Sequence, residues 1–263
     1  MSAIAVAVME DGILVASDGV CYTYETGAVS GFVSKVSLLP EYNCFIGATG
    51  AGAFMNALLW EMNQEFGSFD DIVADFDALC ATVHRKLFTD YSGVWETGPM
   101  TEVSCVIGGW SDARQAFEAY RIVSYDKESV SLSDGSSIRL TPFEKQLLPA
   151  SIWCSTSPRN AMKEFGLDPA PPNDSTMDIL SRLICACRAD SGMVKDETGG
   201  GDDRFHMVGG FLQITVLQRD RIESVIAHRW EEDRLGYPID PSGPGRFPAW
   251  LKERYEATLA EAF

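Results

Sequence analysis

The chain has 263 residues, of which 46% are hydrophobic, and its formal net charge at pH 7 is −17. This apolar content is enough for a full hydrophobic core, so neither a disulfide nor a metal is needed to hold the fold together. The negative charge disfavours nucleic acid and anionic membrane surfaces as partners, because both would repel the chain. No segment approaches the roughly twenty apolar residues of a transmembrane helix, and the N-terminus lacks the pattern of a signal peptide. We therefore expect a cytoplasmic protein.

Seven cysteines make an odd count without a Cys-x-x-Cys pair, and most of them lie inside apolar runs. This pattern predicts buried free thiols in a reducing compartment. Cys80 and His84 stand four apart on a predicted helix and could share a metal ion, but ordinary packing is favoured because there are only three histidines and no second such pair. The acidic segment 196–203 lacks EF-hand spacing and predicts a solvated loop rather than a calcium site. We expect no cofactor and no metal.

The predicted elements begin with a β-hairpin. An apolar strand starts at residue 3, Asp11-Gly12 supplies a turn, and a second strand ends on Asp18. Residues 32–38 and 42–48 predict another strand pair, which Gly50 to Gly52 breaks before a helix. The apolar stripe of that helix recurs every four residues, at Phe54, Leu58, Met62 and Phe66.

A second helix is predicted after Gly67, with Ser68 as its N-cap and two aspartates in its first turn. Its predicted buried face contains Ile72, Phe76, Leu79, Val83 and Leu87. Strands are predicted over 102–109, 116–124 and 128–133, with turns at Gly108-Gly109 and at 133–135.

The C-terminal half continues in the same manner. An apolar run over 150–154 leads into a helix predicted near 158–165, and Ser175 begins another helix with its apolar side at Met177, Leu180, Ile184 and Cys187. Strands over 207–217 and 221–228 precede a proline- and glycine-rich loop at 236–248 and a final helix over 249–261. This order fits two sheets sandwiched between helix layers.

The opening of the chain resembles the N-terminal nucleophile hydrolases, and within them the proteasome β-subunit and its stand-alone bacterial and phage relatives. Those proteins begin with a Thr or Ser nucleophile, an apolar strand, a DG turn and a strand that ends near an aspartate, and Ser2, Asp11-Gly12 and Asp18 match in register. Ser34-Lys35-Val36 and the run from Phe45 to Gly52 are similar to the lysine strand and glycine-rich turn of the family. Lys35 stands one residue late, which an insertion within 21–31 accounts for. The resemblance is best over 2–90, looser over 175–227 and lost beyond about 230.

The resemblance implies an α+β fold, a four-layer αββα sandwich, for residues 1–230. Residues 231–263 are not covered by it and form a C-terminal extension, packed on the domain or on a neighbouring subunit. Apolar residues on one face of its helix, Trp250, Leu251, Tyr255 and Leu259, favour packing on the domain's own core, because chain ends stay ordered only when they are tied down.

The resemblance also implies a catalytic site. Ser2 would be the nucleophile once Met1 is removed, with its own α-amine as the base, since a free α-amine has a pKa of about 8. Lys35 would stabilise the ionised hydroxyl and be held by Asp18, and backbone N–H groups near Gly50 would receive the oxyanion.

A supporting aspartate and serine are expected at the end of a helix, where Asp190 and Ser191 are similar to the family pattern but closer together. A second candidate for this position is Val208-Gly209-Gly210, at the start of a strand. The three histidines, His84, His206 and His228, have no motif partner and are interpreted as structural.

Two functions follow. The first is an amidohydrolase or peptidase that acts on a peptide or small amide. The second is a non-catalytic structural or assembly protein of the same fold, such as a phage or prophage virion or tail component that retains Met1 and resides in the virion. The resemblance implies a homo-oligomer or a larger assembly in either case.

Overall fold

The structure is a computed structural model that describes residues 2–23, 26–62, 66–90, 101–131, 137–149, 151–158, 161–168, 170, 173–190, 192–193, 204–243 and 245–261. The strands of this part are β1 (Ile4–Met9), β2 (Gly12–Asp18), β3 (Val20–Tyr22), β4 (Val29–Phe32), β5 (Val36–Leu39), β6 (Cys44–Gly50), β7 (Val103–Ser111), β8 (Ala116–Val123), β9 (Lys127–Ser131), β10 (Ser137–Leu140), β11 (Gln146–Leu147), β12 (Ile152–Cys154), β13 (Gly192–Met193), β14 (Arg204–Phe205), β15 (Phe211–Gln218) and β16 (Arg221–Arg229). Its α-helices are α1 (Ala53–Met62), α2 (Phe69–Arg85), α3 (Thr176–Ala189) and α4 (Ala249–Glu261). The chain is a mixed α/β protein with several antiparallel sheets and few helices.

Two five-stranded antiparallel sheets dominate the described part of the chain. The first has the strand order β12-β1-β2-β15-β16, and the second has the order β11-β8-β7-β6-β5. The predicted N-terminal hairpin is confirmed, since β1 and β2 pair from Ile4 opposite Ser17 to Met9 opposite Gly12. Residues 10–11 make the turn between them. The hairpin therefore brings Asp18 back beside the start of the chain.

Alternation along β1 divides the apolar residues between two cores. Ala5 and Ala7 belong to a core with residues of α3, β2 and β15, whereas Ile4 and Val6 belong to a core that also contains residues of β6, β7 and β8. This division follows from the strand period of two, which directs successive side chains to opposite faces of a sheet. Both faces of β1 are therefore buried.

A third core joins helices α1 and α2 to the second sheet, and it includes Phe54, Phe76 and Ile107. The predicted helix starts are confirmed by their caps. The Ser68 hydroxyl accepts a hydrogen bond from the Asp71 N–H, and the Ser175 hydroxyl accepts one from the Asp178 N–H, both at 3.2 Å. A side-chain oxygen at the N-cap satisfies a backbone donor that has no partner within the helix.

The strand pair predicted over 32–38 and 42–48 is confirmed as β5 and β6, which pair from Val36 opposite Gly47 to Leu39 opposite Cys44. The predicted start of its first strand is wrong, because the chain divides there into β4 and β5 of different sheets. Ser34 causes the break, since its hydroxyl donates to the Val36 carbonyl at 2.5 Å and accepts from the Val36 N–H at 3.2 Å. Such local side-chain bonds compete with strand pairing. Lys35 consequently lies between two strands rather than within one.

The turn predicted at Gly108-Gly109 is also wrong. β7 runs through both glycines to Ser111. A Cβ at Gly108 would lie 2.5 Å from the Phe45 ring, and one at Gly109 would lie 2.6 Å from the Phe69 ring. The glycines therefore make room for aromatic side chains on either side of a buried strand.

The helix predicted near 158–165 is replaced by consecutive turns over 161–166. Gly166 ends them with a φ of +63°, and a Cβ there would lie 2.3 Å from the ring of Tyr255 on α4. Gly166 therefore lies against Tyr255 of α4, and residues 161–166 do not form a helix of their own.

The C-terminal segment contributes to the same core as α3. Leu251 is fully buried in that core together with Trp230, and the guanidinium of Arg182 on α3 lies 4.5 Å from the Tyr255 ring centre. Arg188 of α3 donates to both carboxylate oxygens of Asp233, at 2.8 and 2.9 Å. No helix among the residues described is long and apolar enough to cross a membrane.

Candidate active site

A cavity of about 260 Å³ opens at the end of the first sheet where the chain begins. Its lining consists of Ser2, Val20, Cys21, Tyr22, Lys35, Gly50 and Gly52. Three of the six predicted site residues, Ser2, Lys35 and Gly50, are thus on one cavity. The segment before β1, strand β3, the bend before β5 and the end of β6 converge here because antiparallel pairing returns each of them to the same end.

Ser2 is nearly buried, with 6% of its surface exposed. Its carbonyl accepts hydrogen bonds from the hydroxyls of Ser155 and Thr156, at 3.3 and 3.2 Å. The Ser155 hydroxyl also accepts from the Ile4 N–H at 3.0 Å. Residues that follow β12 therefore clamp the backbone on both sides of residue 3.

Asp18 lies under this segment and is fully buried. Its carboxylate accepts from the N–H groups of Ala3 at 2.9 Å, Val20 at 3.2 Å and Gly209 at 3.3 Å. Burial raises the pKa of the Asp18 carboxyl above its ordinary value of 3.8, against the opposing effects of the Lys35 charge and these three N–H donors. The carboxylate thus connects the residue after Ser2 to β3 and to the segment before β15.

The Lys35 ammonium donates to the Val20 carbonyl at 2.6 Å and lies 3.8 Å from the Cys21 sulfur. Asp18 and Lys35 interact through their charges, since the Lys35 charge lowers the pKa of the Asp18 carboxyl against the effect of burial, but no ion pair within 4.0 Å joins these two described residues. The Asp18 oxygens are occupied by backbone donors instead. Lys35 acts on Asp18 through its charge, and the Val20 carbonyl fixes its position.

Gly50 meets the cavity with a backbone conformation that other residues rarely adopt. Its φ is +101°, and a Cβ would lie 2.0 Å from the Glu102 carbonyl oxygen. Only glycine fits this approach of two backbones. Gly50 and Gly52 therefore present main chain rather than side chains to Ser2 and Lys35.

The two candidates for the supporting position, Asp190-Ser191 and Val208-Gly209-Gly210, differ in their contact with the site. Asp190 is the C-cap of α3, where its N–H donates to the Ala186 carbonyl, and it is not part of the cavity lining. Ser191 lies outside the described residues. The second candidate, Val208-Gly209-Gly210, does contact the site, because the Gly209 N–H donates to Asp18.

Five residues at or beside the cavity are not predicted from the sequence. Val20 carries no motif, Cys21 and Tyr22 fall in the loop 21–31 that was expected to contain a one-residue insertion, and Ser155 and Thr156 follow a short apolar run without a motif. The only signal for Ser155 and Thr156 is that their hydroxyls come directly after a short apolar run, at the start of a loop.

The described residues contain no group of three or more His, Cys, Asp or Glu side chains arranged to hold a metal. Cys80 is fully buried in the helix core, and His84 contacts the Thr101 carbonyl at 2.9 Å through Nε2. The acidic segment 196–203 lies outside the described residues. The cavity itself offers an ammonium, a hydroxyl, a thiol and backbone groups, a set suited to acyl transfer rather than to metal binding.

No protein-family model matches the chain, and no curated protein matches it. Among solved structures, the chain is similar to "Anbu (ancestral beta-subunit) from Yersinia bercovieri", with a TM-score of 0.53 and 9% sequence identity. The superposition covers 98% of this chain and 95% of that chain. At this identity the likeness is one of fold, and it shows that the chain has an Anbu-like fold over nearly its whole length.

Proposed function

We propose that this protein is an N-terminal nucleophile amidohydrolase or peptidase whose nucleophile is Ser2 after removal of Met1. The observation that carries the proposal is the shared cavity of Ser2, Lys35 and Gly50, which are distant in sequence. The name of the structural neighbour, an ancestral beta-subunit, agrees with the resemblance of the N-terminal segment to proteasome β-subunits.

The proposal includes the four-layer αββα arrangement. Its support is the composition of the three cores, since α3 shares a core with the first sheet, α1 and α2 share one with the second, and residues of both sheets share the third. We also propose that residues 1–230 are the catalytic domain and that residues 231–263 complete its core through Leu251.

In the proposed reaction, the free α-amine of Ser2 takes the proton of its own hydroxyl as Oγ attacks an amide carbonyl carbon. The Lys35 ammonium stabilises the developing negative charge on Oγ, and main-chain N–H groups at Gly50 stabilise the oxyanion. The C–N bond then breaks, and the leaving amine takes the proton from the α-ammonium. A water molecule, deprotonated by the α-amine of Ser2, then attacks the ester carbonyl carbon. The ester C–O bond breaks, and the Ser2 hydroxyl regains its proton from the α-ammonium.

The surrounding contacts suit this chemistry. The hydroxyls of Ser155 and Thr156 and the carboxylate of Asp18 hold the backbone of residues 2–4 in place. We propose that Asp190, the C-cap of α3, and the following Ser191 support this end of the chain. A cavity of about 260 Å³ suits a peptide side chain or a small amide substrate.

We propose that the protein forms a homo-oligomer. Two exposed apolar pairs support this, since 44% of Phe32, 47% of Val33, 61% of Leu235 and 65% of Tyr237 are solvent-accessible. The backbone of residues 236–237 is hydrogen-bonded to Val29, the first residue of the strand β4 that ends at Phe32. Exposed apolar clusters commonly mark protein–protein contacts.

The proposal is tested by intact mass together with labelling by a serine-reactive acylating probe. The wild-type protein is expected to lack Met1 and to be labelled at Ser2. Ser2→Ala should abolish labelling, and Lys35→Ala should slow it by about 10²-fold or more, because a charge that stabilises the nucleophile is lost. Lys252→Ala is the matched control, since that lysine is exposed on α4.

Retention of Met1 together with equal labelling of wild type and Ser2→Ala would exclude the mechanism. A folded, assembled protein that retains Met1 and takes no label would instead favour the non-catalytic structural function. Circular dichroism of each variant separates loss of chemistry from loss of fold.

A further inference from the structure

The ribbon of strands β3 and β4 carries one wall of the cavity, and the C-terminal extension pairs with it. The Val29 N–H of β4 donates to the Tyr237 carbonyl at 2.9 Å, and the Val29 carbonyl accepts from the Gly236 N–H at 2.8 Å. Ala28 and Pro238 form an antiparallel bridge beside these bonds. The extension therefore adds a third backbone segment to the ribbon that lines the site.

Ile239 follows this segment and packs its side chain against the ribbon. Only 5% of Ile239 is exposed, and it forms a small core with the buried side chains of Val20 in β3 and Val29 in β4. Tyr22 packs against the same core. Among the described residues, the three larger cores contain no residue of β3. The apolar packing of β3 therefore depends on a residue of the extension.

The backbone around Ile239 is fixed on both sides. Before it, residues 236–238 are paired with β4, and after it the Asp240 carbonyl accepts from the fully buried Arg188 guanidinium of α3 at 3.1 Å. A backbone that is held at both ends does not close the space left by a truncated side chain, so a cavity remains. We therefore expect a smaller side chain at residue 239 to loosen β3 rather than the extension.

Val20 connects this small core to the candidate active site. Its carbonyl oxygen accepts a hydrogen bond from the Lys35 ammonium at 2.6 Å, and its N–H donates to the Asp18 carboxylate at 3.2 Å. The neighbouring Cys21 sulfur gives the ammonium a longer contact, at 3.8 Å. Because the lysine side chain is a flexible four-carbon stem, the place of its charge is set by the backbone of β3 that it reaches.

We propose that Ile239 is a positioning residue for Lys35: it holds the Val20 carbonyl, and with it the ammonium, at the cavity that Ser2 lines. Ile239 is not part of the cavity lining, so it acts through Val20 rather than on a substrate. This role rests on the proposed function, in which the Lys35 charge stabilises the Ser2 nucleophile. The C-terminal extension thereby contributes to the site as well as to the core around Leu251.

The experiment measures how fast a serine-reactive acylating probe labels the full-length protein in wild type, Ile239→Ala, Lys35→Ala and the double variant. Ile239→Ala should slow labelling by about 10-fold or more, since a small misplacement of a catalytic group costs up to about 10²-fold. In the Lys35→Ala background the same change should have no further effect, because no ammonium remains to be placed. Effects that fail to add identify residues that act through one another.

Two variants separate positioning from a loss of stability. Leu251→Ala truncates a fully buried side chain of the same extension in the core of α3, and it should be labelled at the wild-type rate while it is folded by circular dichroism. Ile239→Val keeps the branched Cβ and loses one carbon, so it should recover most of the rate. If Ile239→Ala does not fold, the smaller slowing by Ile239→Val, expected only when Lys35 is present, provides the test.

A second readout does not depend on activity. Burial raises the pKa of the Asp18 carboxyl, and the Lys35 charge is the largest effect that lowers it, ahead of the three N–H donors. Displacement of the ammonium should therefore raise the Asp18 pKa further in Ile239→Ala but not in Leu251→Ala. Carbon-13 NMR of the carboxyl carbon over a pH series measures this change.

Equal slowing by Ile239→Ala with and without Lys35, a wild-type rate in Ile239→Ala, or equal slowing by Leu251→Ala would overturn the positioning role. If the wild-type protein takes no label, the proposed function fails, while the Asp18 titration still tests whether Ile239 places the ammonium. An Asp18 pKa that is the same in wild type and Ile239→Ala would then reject the role of Ile239.

Discussion

Replacing Asp233 by alanine would remove the main partner of a buried cation. The Arg188 side chain is fully buried, and Asp233 receives two of its hydrogen bonds. Asp233 also accepts from the Gly210 N–H at 2.6 Å. The same carboxylate therefore neutralises a charge on α3 and satisfies a backbone donor beside β15.

The loss in the free energy of unfolding depends on the partners that Arg188 retains. After the change, Arg188 keeps the carbonyls of Val208 at 3.2 Å and Asp240 at 3.1 Å, and the Glu232 carboxylate at 3.4 Å. Breaking a buried ion pair by removing one partner costs about 3–5 kcal/mol. Glu232 reduces this cost, whereas the unsatisfied Gly210 N–H adds about 1–3 kcal/mol. We expect the free energy of unfolding to fall by about 3–5 kcal/mol.

Urea denaturation of Asp233→Ala and wild type measures this difference. Glu223→Ala is the control. It breaks an exposed pair with Arg221 in which both side chains are more than half exposed, so the free energy of unfolding should stay close to that of the wild type. A loss below about 1 kcal/mol for Asp233→Ala would refute the argument that this buried pair ties the C-terminal segment to α3.

Three further changes test the site and the core. Gly50→Ala should destabilise the protein by about 1–3 kcal/mol through backbone strain, with an added clash against the Glu102 carbonyl, as measured by thermal unfolding. Leu251→Ala should cost about 2–5 kcal/mol in urea denaturation, because it leaves a cavity in a closed core. Asp18 has a raised pKa when folded, so its contribution to stability is full below pH 3.8 and is lost as the pH rises through the folded value; Asp18→Asn should remove this pH dependence from the unfolding free energy.

Each of these changes has its own check. Gly52→Ala controls for Gly50→Ala, because a Cβ at Gly52 meets nothing within 4 Å. Leu235→Ala controls for Leu251→Ala, because 61% of Leu235 is exposed. Equal losses within either pair would contradict the reasoning, and so would parallel pH profiles for wild type and Asp18→Asn.

Local chemistry accounts for the elements that the sequence predicted well. Asp11-Gly12 between two apolar runs is sufficient to predict the β1–β2 hairpin, and a serine followed three residues later by an aspartate is sufficient to place the starts of α2 and α3. These features depend on neighbours within a few positions, so they can be deduced before the fold is known.

The candidate site could be predicted only in part. Ser2, Lys35 and Gly50 were deduced from a family pattern, and they lie on one cavity. The groups that clamp Ser2, the hydroxyls of Ser155 and Thr156, come from a strand edge more than 150 residues away. Nothing in their own neighbourhood distinguishes them from loop residues.

The sequence by itself determined the first hairpin, the capped starts of α2 and α3 and the buried faces of these two helices, because each depends on short-range periodicity and capping. Only the tertiary structure decided that Gly108 and Gly109 lie within a strand, since their place is set by the Phe45 and Phe69 rings packed against them. It likewise decided that the Ser155 and Thr156 hydroxyls meet the Ser2 carbonyl. Contacts between distant segments depend on how sheets and helices pack, and that packing has no local signal.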